Sequence, residues 1–220
     1  MKKLNQIIME FDYEKNFKEY DFYVSNSNSE PYSLINKWPK WEKNFLNISG
    51  ERFSGKSHLV DIFLKKFDGI KVSANELDNN FLLKLKSFKN IILEDLREKN
   101  IDERIFYSLL NIVENEKKYL ITTSNLPIFN LRFDLDDLNS RAKNFIVTSI
   151  KNPDDDLIFA IILKNLSDRQ ILIDKKLIDY IIKRIDRTYG KISDFIYKID
   201  QISLKEKKPI DFKLIKQVLE

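Results

Sequence analysis

One eight-residue segment, residues 50–57, constrains this chain more than any other part of its sequence. It reads GERFSGKS and matches the phosphate-loop pattern G-x-x-x-x-G-K-[ST] at every defined position. An apolar run at residues 45–48 precedes it and apolar residues at helical spacing follow it, which predicts a strand, a loop and a helix. Glycines let backbone N–H groups turn towards phosphate oxygens, and the helix start adds unpaired N–H groups. The sequence therefore predicts a site for a nucleoside polyphosphate.

The side chains of this loop have separate expected roles. We expect Lys56 to neutralise the β- and γ-phosphates of ADP or ATP, and Ser57 to bind Mg²⁺. His58 is the only histidine of the chain, and packing or solvation is its expected role beside the loop. The full predicted nucleotide-binding set of the loop is Gly50, Ser54, Gly55, Lys56, Ser57 and His58.

The order of apolar runs predicts an α/β fold followed by a helical region. Short apolar runs lie at residues 70–72, 91–93, 119–122 and 145–147. Helical patterns at residues 75–87 and 102–116 alternate with them, which favours a parallel sheet. After residue 153 only helical patterns follow, at residues 154–165, 174–185, 191–202 and 211–219. We therefore expect an N-terminal segment (1–30), an α/β nucleotide-binding domain (31–152) and a small helical lid domain (153–220).

Composition and charge exclude several other classes of protein. The 220 residues include no cysteine, which excludes disulfides and cysteine-ligated metals. A net charge of +4, without a concentrated basic patch, does not predict nucleic-acid binding. Apolar runs fall short of the roughly 18 residues that span a bilayer, and no cleavable signal pattern is present. A cytoplasmic protein without membrane contact is expected.

Hydrolysis of a bound nucleotide needs a further carboxylate near the phosphates. The apolar run 91–93 ends in Glu94 and Asp95, which we expect to join Ser57 in ordering Mg²⁺ and an attacking water. Two solvated acids at a strand end are the alternative. The usual order places the magnesium-binding Asp first and the catalytic acid second, and this chain reverses it. The sequence therefore predicts slow or absent turnover.

Two polar segments follow these acids. The run 119–122 leads into Asn125, a candidate hydrogen-bond donor to the γ-phosphate, although turn formation before Pro127 explains the same residues equally well. The segment LNSR ends in Arg141, near the start of the last predicted strand. A solvated surface arginine is the alternative for Arg141.

In their order along the chain, these motifs resemble those of the AAA+ ATPases of the DnaA clade, and most closely the Hda-type inactivators of DnaA. The resemblance covers nearly the whole chain and includes residues 21–26, 35–41, 54–59 and 168–170. It implies that Arg141 is an arginine finger that promotes hydrolysis of ATP bound to DnaA. It also implies that a nucleotide keeps the two domains in a docked geometry. An initiator would carry a helix-turn-helix domain after the lid, so an end at Glu220 favours an inactivator.

The lid departs from the pattern of the clade at one position. The resemblance places Gly190 where the clade has an arginine that faces the phosphates, and leaves Lys191 as the neighbouring cation. Lysine does not offer the bidentate contact of arginine. We therefore expect sensing of the nucleotide by the lid to be weak or absent.

A peptide near the N-terminus resembles the motif by which many proteins bind the bacterial sliding clamp. Residues 6–11 read QIIMEF and fit the pattern Q-x-x-[LM]-x-F. Gln6 would form hydrogen bonds at a pocket rim, and Met9 and Phe11 would fill an apolar groove. An amphipathic strand packed on its own domain is the alternative.

The resulting hypothesis is a nucleotide-controlled protein with DnaA and the DNA polymerase III sliding clamp as partners, either monomeric or a homodimer. It would act as an inhibitor of replication initiation. One alternative is an active ATPase of the same clade that loads or remodels a replication partner. Another is a DNA-binding regulator of replication, which the mild charge disfavours. No direct sequence-specific DNA binding is expected.

Overall fold

A computed structural model describes residues 21–206 and 210–219, and the predicted clamp peptide (Gln6, Met9 and Phe11) lies outside them. Within the described part, five strands form one parallel sheet in the order β2-β3-β4-β1-β5. The strands are β1 (Phe45–Ser49), β2 (Gly69–Ser73), β3 (Asn90–Leu96), β4 (Tyr119–Ser124) and β5 (Ile146–Ser149). The predicted α/β class with a parallel sheet is confirmed.

Helices connect the strands and continue after the last one. They are α1 (Ser29–Asn36), α2 (Lys56–Lys66), α3 (Asn79–Lys84), α4 (Glu103–Asn115), α5 (Asp136–Ala142), α6 (Asp155–Asp168), α7 (Lys175–Ile182), α8 (Tyr189–Glu206) and α9 (Phe212–Leu219). Among the described residues, no helix combines the length and apolar character needed to cross a membrane.

Two helices differ from the sequence pattern. The predicted helix over residues 75–87 is divided, because Leu77 is extended and the Asp78 carboxylate accepts a hydrogen bond from the Phe81 amide and so begins α3 anew. The pattern did not predict α5. A helix of seven residues spans only two turns, which is too short to show a clear apolar period.

The sheet is buried on both faces because its strands are apolar at consecutive positions. Ile91, Leu93 and Leu120 belong to a buried cluster that α4 covers. Ile92 and Ile121 point to the opposite face, into a cluster that α1 and α2 cover. Side chains alternate between faces along a strand, so runs of apolar residues are what a doubly covered parallel sheet requires.

The helices after β5 form a core of their own. Ile158 and Ile162 of α6 pack with apolar residues of α7, α8 and α9. Leu157, on another side of α6, belongs to the cluster under α1 and α2. Helix α6 therefore contributes to both the sheet core and the helical core, and joins the lid to the sheet.

A buried polar residue, Asn47, ties the central strand β1 to the end of β4. The side chain is 0% exposed, and its amide nitrogen donates to the hydroxyls of Thr122 and Ser124, both at 2.9 Å. Its carbonyl oxygen accepts a hydrogen bond from the Ile128 amide at 3.0 Å. All polar groups of this side chain are thus used to hold the segment that follows β4.

Replacing Asn47 with alanine should destabilise the fold. The substitution leaves the buried Ile128 amide without its acceptor, which costs about 1–3 kcal/mol, and removes the hydrogen bonds that Asn47 donates to the hydroxyls of Thr122 and Ser124. We expect the free energy of unfolding to fall by about 2–4 kcal/mol in urea titrations. Asn130→Ala, at an exposed position nearby, is the matched control and should change it by less than about 0.5 kcal/mol. Equal stabilities of the two variants would contradict this role.

Candidate nucleotide-binding site

The candidate site lies at the carboxyl edge of the sheet, where parallel strands all end. Ser49 at the end of β1 is level with Ser124 of β4 and Ser149 of β5. The Gly50 amide donates to the Ser124 carbonyl at 3.1 Å, which extends the pairing by one residue into the loop. This geometry places the phosphate loop beside the residues that follow β4. Ligands of open α/β sheets bind at this edge.

Both glycines of the loop motif are needed for its geometry. Gly55 has φ +94°, in the left-handed region that favours glycine, and it directly precedes α2. At Gly50 a side chain would clash, because a Cβ atom there would lie 2.8 Å from Ser54 Oγ. Glycine is therefore required at the two positions for different reasons. At Gly55 the reason is the backbone conformation, and at Gly50 it is the close approach of other atoms.

Lys56 lies over the loop and bonds to its carbonyl groups. Its Nζ donates to the carbonyl oxygens of Gly50 at 2.7 Å and Glu51 at 2.8 Å. Burial lowers the pKa of the Lys56 ammonium, and the nearby carboxylates of Asp95 and Glu51 oppose this shift. Phosphate oxygens would be stronger, charged acceptors for the same ammonium.

The remaining loop residues differ in exposure. Ser54 is buried, and its Oγ has no hydrogen-bond partner among the described residues. Ser57 is exposed at the start of α2. The His58 ring meets the Phe22 ring edge to face at 5.1 Å between centroids. Phe22 also lies beside the loop, since a Cβ atom on Gly55 would be 3.5 Å from its ring. Sequence patterns did not predict this packing role for Phe22.

Phe53 is the strained residue of the loop. Its φ is +68°, which costs a residue with a Cβ atom about 1–2 kcal/mol. The side chain is 49% exposed and lies 4.8 Å from the Arg52 guanidinium. Strained backbone at a ligand-binding loop is a common feature of functional sites.

A β-bulge redirects the two acids at the end of β3. Leu93 is level with Thr122 on β4, but Leu96 is level with Ser124, so β3 has one extra residue between them. Asp95 takes the left-handed conformation, with φ +57°. Its amide donates to Thr123 Oγ1 at 3.0 Å. The sequence pattern, which showed only a strand ending in acids, did not reveal this bulge.

Both acids form ion pairs within the chain. Glu94 lies 3.3 Å from the Lys71 ammonium, which also binds Asp61 at 2.7 Å. Asp95 accepts three hydrogen bonds from the Arg97 guanidinium, at 2.8–3.2 Å. Sequence reasoning missed Lys71 and Arg97, because ion pairing across strands and turns has no local signal.

The donor set for Mg²⁺ is small. Magnesium usually keeps several waters and takes one or two protein oxygens together with phosphate oxygens. Glu94 Oε1 is buried and has no hydrogen-bond partner among the described residues, and it fits such a role together with the Ser57 hydroxyl. Asp95 fits less well because Arg97 binds both of its oxygens. Residues 21–206 and 210–219 contain no group of three or more acidic or histidine side chains that could hold a metal alone.

Asn125 and Lys191, two further candidate site residues, are both exposed. Asn125 directly follows Ser124, whose carbonyl accepts a hydrogen bond from the Gly50 amide. Asn125 therefore adjoins the phosphate loop. Lys191 lies in the first turn of α8, and its amide donates to Thr188 Oγ1 at 3.2 Å. Strand pairing therefore places Asn125 next to the loop, whereas Lys191 directly follows Gly190, whose amide binds Glu51 of the loop.

Glu51 links the phosphate loop to the lid, a role that sequence reasoning missed. Its Oε2 accepts a hydrogen bond from the Tyr189 amide at 3.0 Å, and its Oε1 accepts one from the Gly190 amide at 3.3 Å. Tyr189 is buried, and burial raises the pKa of its hydroxyl, which donates to the Lys151 carbonyl at 3.0 Å. The motif allows any residue at position 51, so its pattern could not identify this contact.

Arg141 lies on α5, a few residues before β5, and contacts α4 of the same chain. The guanidinium is 3.0 Å from the Glu114 carboxylate and donates to the Asn111 side chain at 2.7 Å. It also lies over the Tyr107 ring, 4.9 Å from the centroid. Three residues of one helix thus hold the candidate arginine finger.

Comparison with solved structures identifies the fold. Domain III of the Thermotoga maritima replication initiator DnaA superposes with a TM-score of 0.74 at 18% identity, over 93% of this chain and 96% of that one. AMPPCP-bound DnaA from Aquifex aeolicus gives 0.72 at 22% identity, over 92% and 70%. Thermotoga maritima RuvB, a Holliday junction branch migration motor, gives 0.69 at 14% identity, over 89% and 69%. This chain has the AAA+ fold.

Curated relatives of this AAA+ chain are DnaA initiators. The protein from Buchnera aphidicola subsp. Cinara cedri is 25% identical over 99% of this chain and 56% of its own length. The protein from Clavibacter sepedonicus is 21% identical over 80% of this chain and 42% of its own length. The chain thus spans about half the length of the curated relatives it matches. The chain is thus similar to DnaA initiators in sequence and to domain III of DnaA in fold. No family model matches the sequence.

Two substitutions at Phe53 test whether its backbone conformation is strained. Phe53→Gly and Phe53→Ala both remove the ring, but only glycine relieves the left-handed conformation. We expect the glycine variant to be about 1 kcal/mol more stable than the alanine variant in denaturant unfolding. A glycine variant less stable than the alanine variant would show that this backbone conformation is not strained.

Proposed function

We propose that this chain is a nucleotide-binding AAA+ protein of DNA replication that promotes hydrolysis of ATP bound to DnaA. The observation that carries the proposal is the phosphate loop, which combines the left-handed Gly55, the half-buried Lys56 and the start of α2 in a chain related to DnaA along 99% of its length. An AMPPCP-bound DnaA with the same fold supports a nucleotide as the ligand.

Different residues in and around the loop would bind different parts of ADP or ATP. Amide N–H groups of the loop and of the start of α2 would bind phosphate oxygens, and Lys56 would exchange two carbonyl acceptors for phosphate oxygens. Ser57 and Glu94 would hold Mg²⁺, which would neutralise phosphate charge when bound. Asn125, which follows Ser124 beside the loop, would donate a hydrogen bond to a terminal phosphate.

Slow turnover by this chain itself is part of the proposal. Its support is the engagement of both acids, since Asp95 is bound by Arg97 through both oxygens and Glu94 is paired with Lys71. A general base must accept a proton from the attacking water. To accept that proton, the carboxylates of Glu94 and Asp95 would have to leave Lys71 and Arg97, the cations that already bind them.

Loss of the Lys56 ammonium should abolish most nucleotide binding. We expect Lys56→Ala to weaken ADP and ATP binding by about 30- to 100-fold in calorimetric titrations, because charge-assisted hydrogen bonds to phosphate are lost. Lys65→Ala, in the last turn of the same helix, is the matched control and should bind as the wild type does. Wild-type protein that takes up neither nucleotide would refute the proposed ligand.

The proposed action on DnaA depends on Arg141. An arginine that a partner supplies in trans to a bound triphosphate stabilises charge in the transition state and is worth about 10³–10⁵ in rate. Asn111 and Glu114 hold the guanidinium at the surface of α4 and α5, where a second protein could approach it. The clamp peptide at residues 6–11 remains a proposal from the sequence, in which Gln6, Met9 and Phe11 recruit the protein to the DNA-loaded clamp.

A reconstituted reaction tests this action directly. DnaA loaded with labelled ATP is mixed with clamp, DNA and this protein, and release of phosphate is followed. We expect Arg141→Ala to reduce stimulation at least about 100-fold while nucleotide binding is unchanged. Arg104→Ala, at an exposed position of α4, is the matched control and should retain stimulation.

Three results would contradict the inactivator function. One is hydrolysis of DnaA-bound ATP that is unaffected by the wild-type protein. Another is rapid turnover by this chain alone that disappears in Lys56→Ala, which would favour the active ATPase. The third is tight, strongly salt-dependent binding to duplex DNA, which would favour the DNA-binding regulator.

A further inference from the structure

Glu51 contacts the two groups in this region that are best suited to bind a phosphate. Its carboxylate accepts hydrogen bonds from the amides of Tyr189 and Gly190, the first two residues of α8. Its backbone carbonyl accepts a hydrogen bond from Lys56 Nζ at 2.8 Å. One residue thus engages both the loop ammonium and the positive end of the lid helix.

The start of α8 is fully satisfied by protein groups in this arrangement. The first two amides bind Glu51, and the Lys191 amide binds Thr188 Oγ1. An anionic side chain at a helix N-terminus is favourable, since it interacts with the helix dipole. The first two amides of α8 are therefore engaged by a negative charge of the chain itself.

The position of Gly190 strengthens this contact. A Cβ atom there would lie 3.3 Å from Glu51 Oε1, closer than ordinary van der Waals contact. Glycine therefore lets the carboxylate approach the amides of the lid. The long cationic side chain that we expected the clade to have here would compete for the same space.

We propose that Glu51 is an internal competitor of the nucleotide phosphates, a carboxylate that holds the lid on the phosphate loop until a nucleotide displaces it. The proposal rests on the proposed function, because it requires that the loop binds a nucleotide. A polyphosphate that reaches Lys56 comes close to the Glu51 carboxylate, and like charges at short range repel. The same repulsion weakens nucleotide binding and couples it to release of the lid.

The substitution Glu51→Gln separates the charge from the shape. Glutamine has the same size and keeps one acceptor oxygen for the amides of α8, but it carries no negative charge. Glu42→Gln makes the same change of charge at an exposed position before β1, at the opposite end of that strand from the loop. It serves as the matched control.

Two measurements on wild type and both variants test the proposal. Calorimetry with ADP and with AMPPCP should show binding to Glu51→Gln that is about five- to thirtyfold tighter than to the wild type, and no change for Glu42→Gln. Thermal unfolding without nucleotide should show a lower midpoint for Glu51→Gln, because the charged cap of α8 is lost. A residue with only a structural role would lower both stability and affinity.

Unchanged or weaker nucleotide binding by Glu51→Gln would overturn the proposal, whatever the melting temperature. Glu51→Ala removes both oxygens and gives a second test with the same expected sign of the affinity change. If the wild type binds neither nucleotide but Glu51→Gln does, the competitor role is supported while the proposed function of the wild type fails. If no variant binds either nucleotide, both proposals fail.

Discussion

The parallel pairing of β1 with β4 and β5 is the constraint on which the rest of this structure depends. It places residues 50–57 at the middle of the sheet edge, with the ends of β3 and β4 on one side. The buried side chain of Asn47 maintains this arrangement, because it binds β4 and the segment after it with all of its polar atoms. The phosphate loop is therefore supported by strands whose register places Ser49 level with Ser124 and Ser149.

Charge is the second organising factor of the site. Lys56 lies among Asp95, Glu94 and Glu51, and each of the three acids already has a cation or amide partner in the chain. A nucleotide would bring several negative charges close to Lys56 and these three acids. In the role we propose for Glu51, its carboxylate links nucleotide binding to the position of the lid. The pairing of Glu94 with Lys71 and of Asp95 with Arg97 supports the slow turnover that we propose.

The surface around Arg141 belongs to a different part of the molecule. Helix α4 holds the guanidinium with a carboxylate, an amide and an aromatic ring, which together restrict its orientation. Restricting a long side chain in advance lowers the entropy lost when it binds a partner. This arrangement suits an arginine that acts on another protein, which is the role we propose.

Much of the fold and the centre of the site could be predicted from local patterns. The motif at residues 50–57 identified Gly55, because the left-handed turn demands glycine, and Lys56, because the phosphate contact that we propose demands lysine. Apolar runs identified the five strands, since a doubly covered sheet needs them. Sequence patterns did not predict α5, because seven residues are too few to show a helical period. They also did not predict the division of the helix at Asp78, because a single capping residue does not change the apolar period.

By itself, the sequence determined the α/β class, the place of the phosphate loop and the change to helices after residue 153, since these depend on residue types at short separations. Only the tertiary structure decided which partners the charged side chains have. Glu51 binds the amide of Tyr189 in α8, 138 residues further along the chain. The bulge at Asp95 follows from the register of β3 against β4. Such contacts join residues that come close only in the folded chain, and the spacing of residues along the sequence does not predict them.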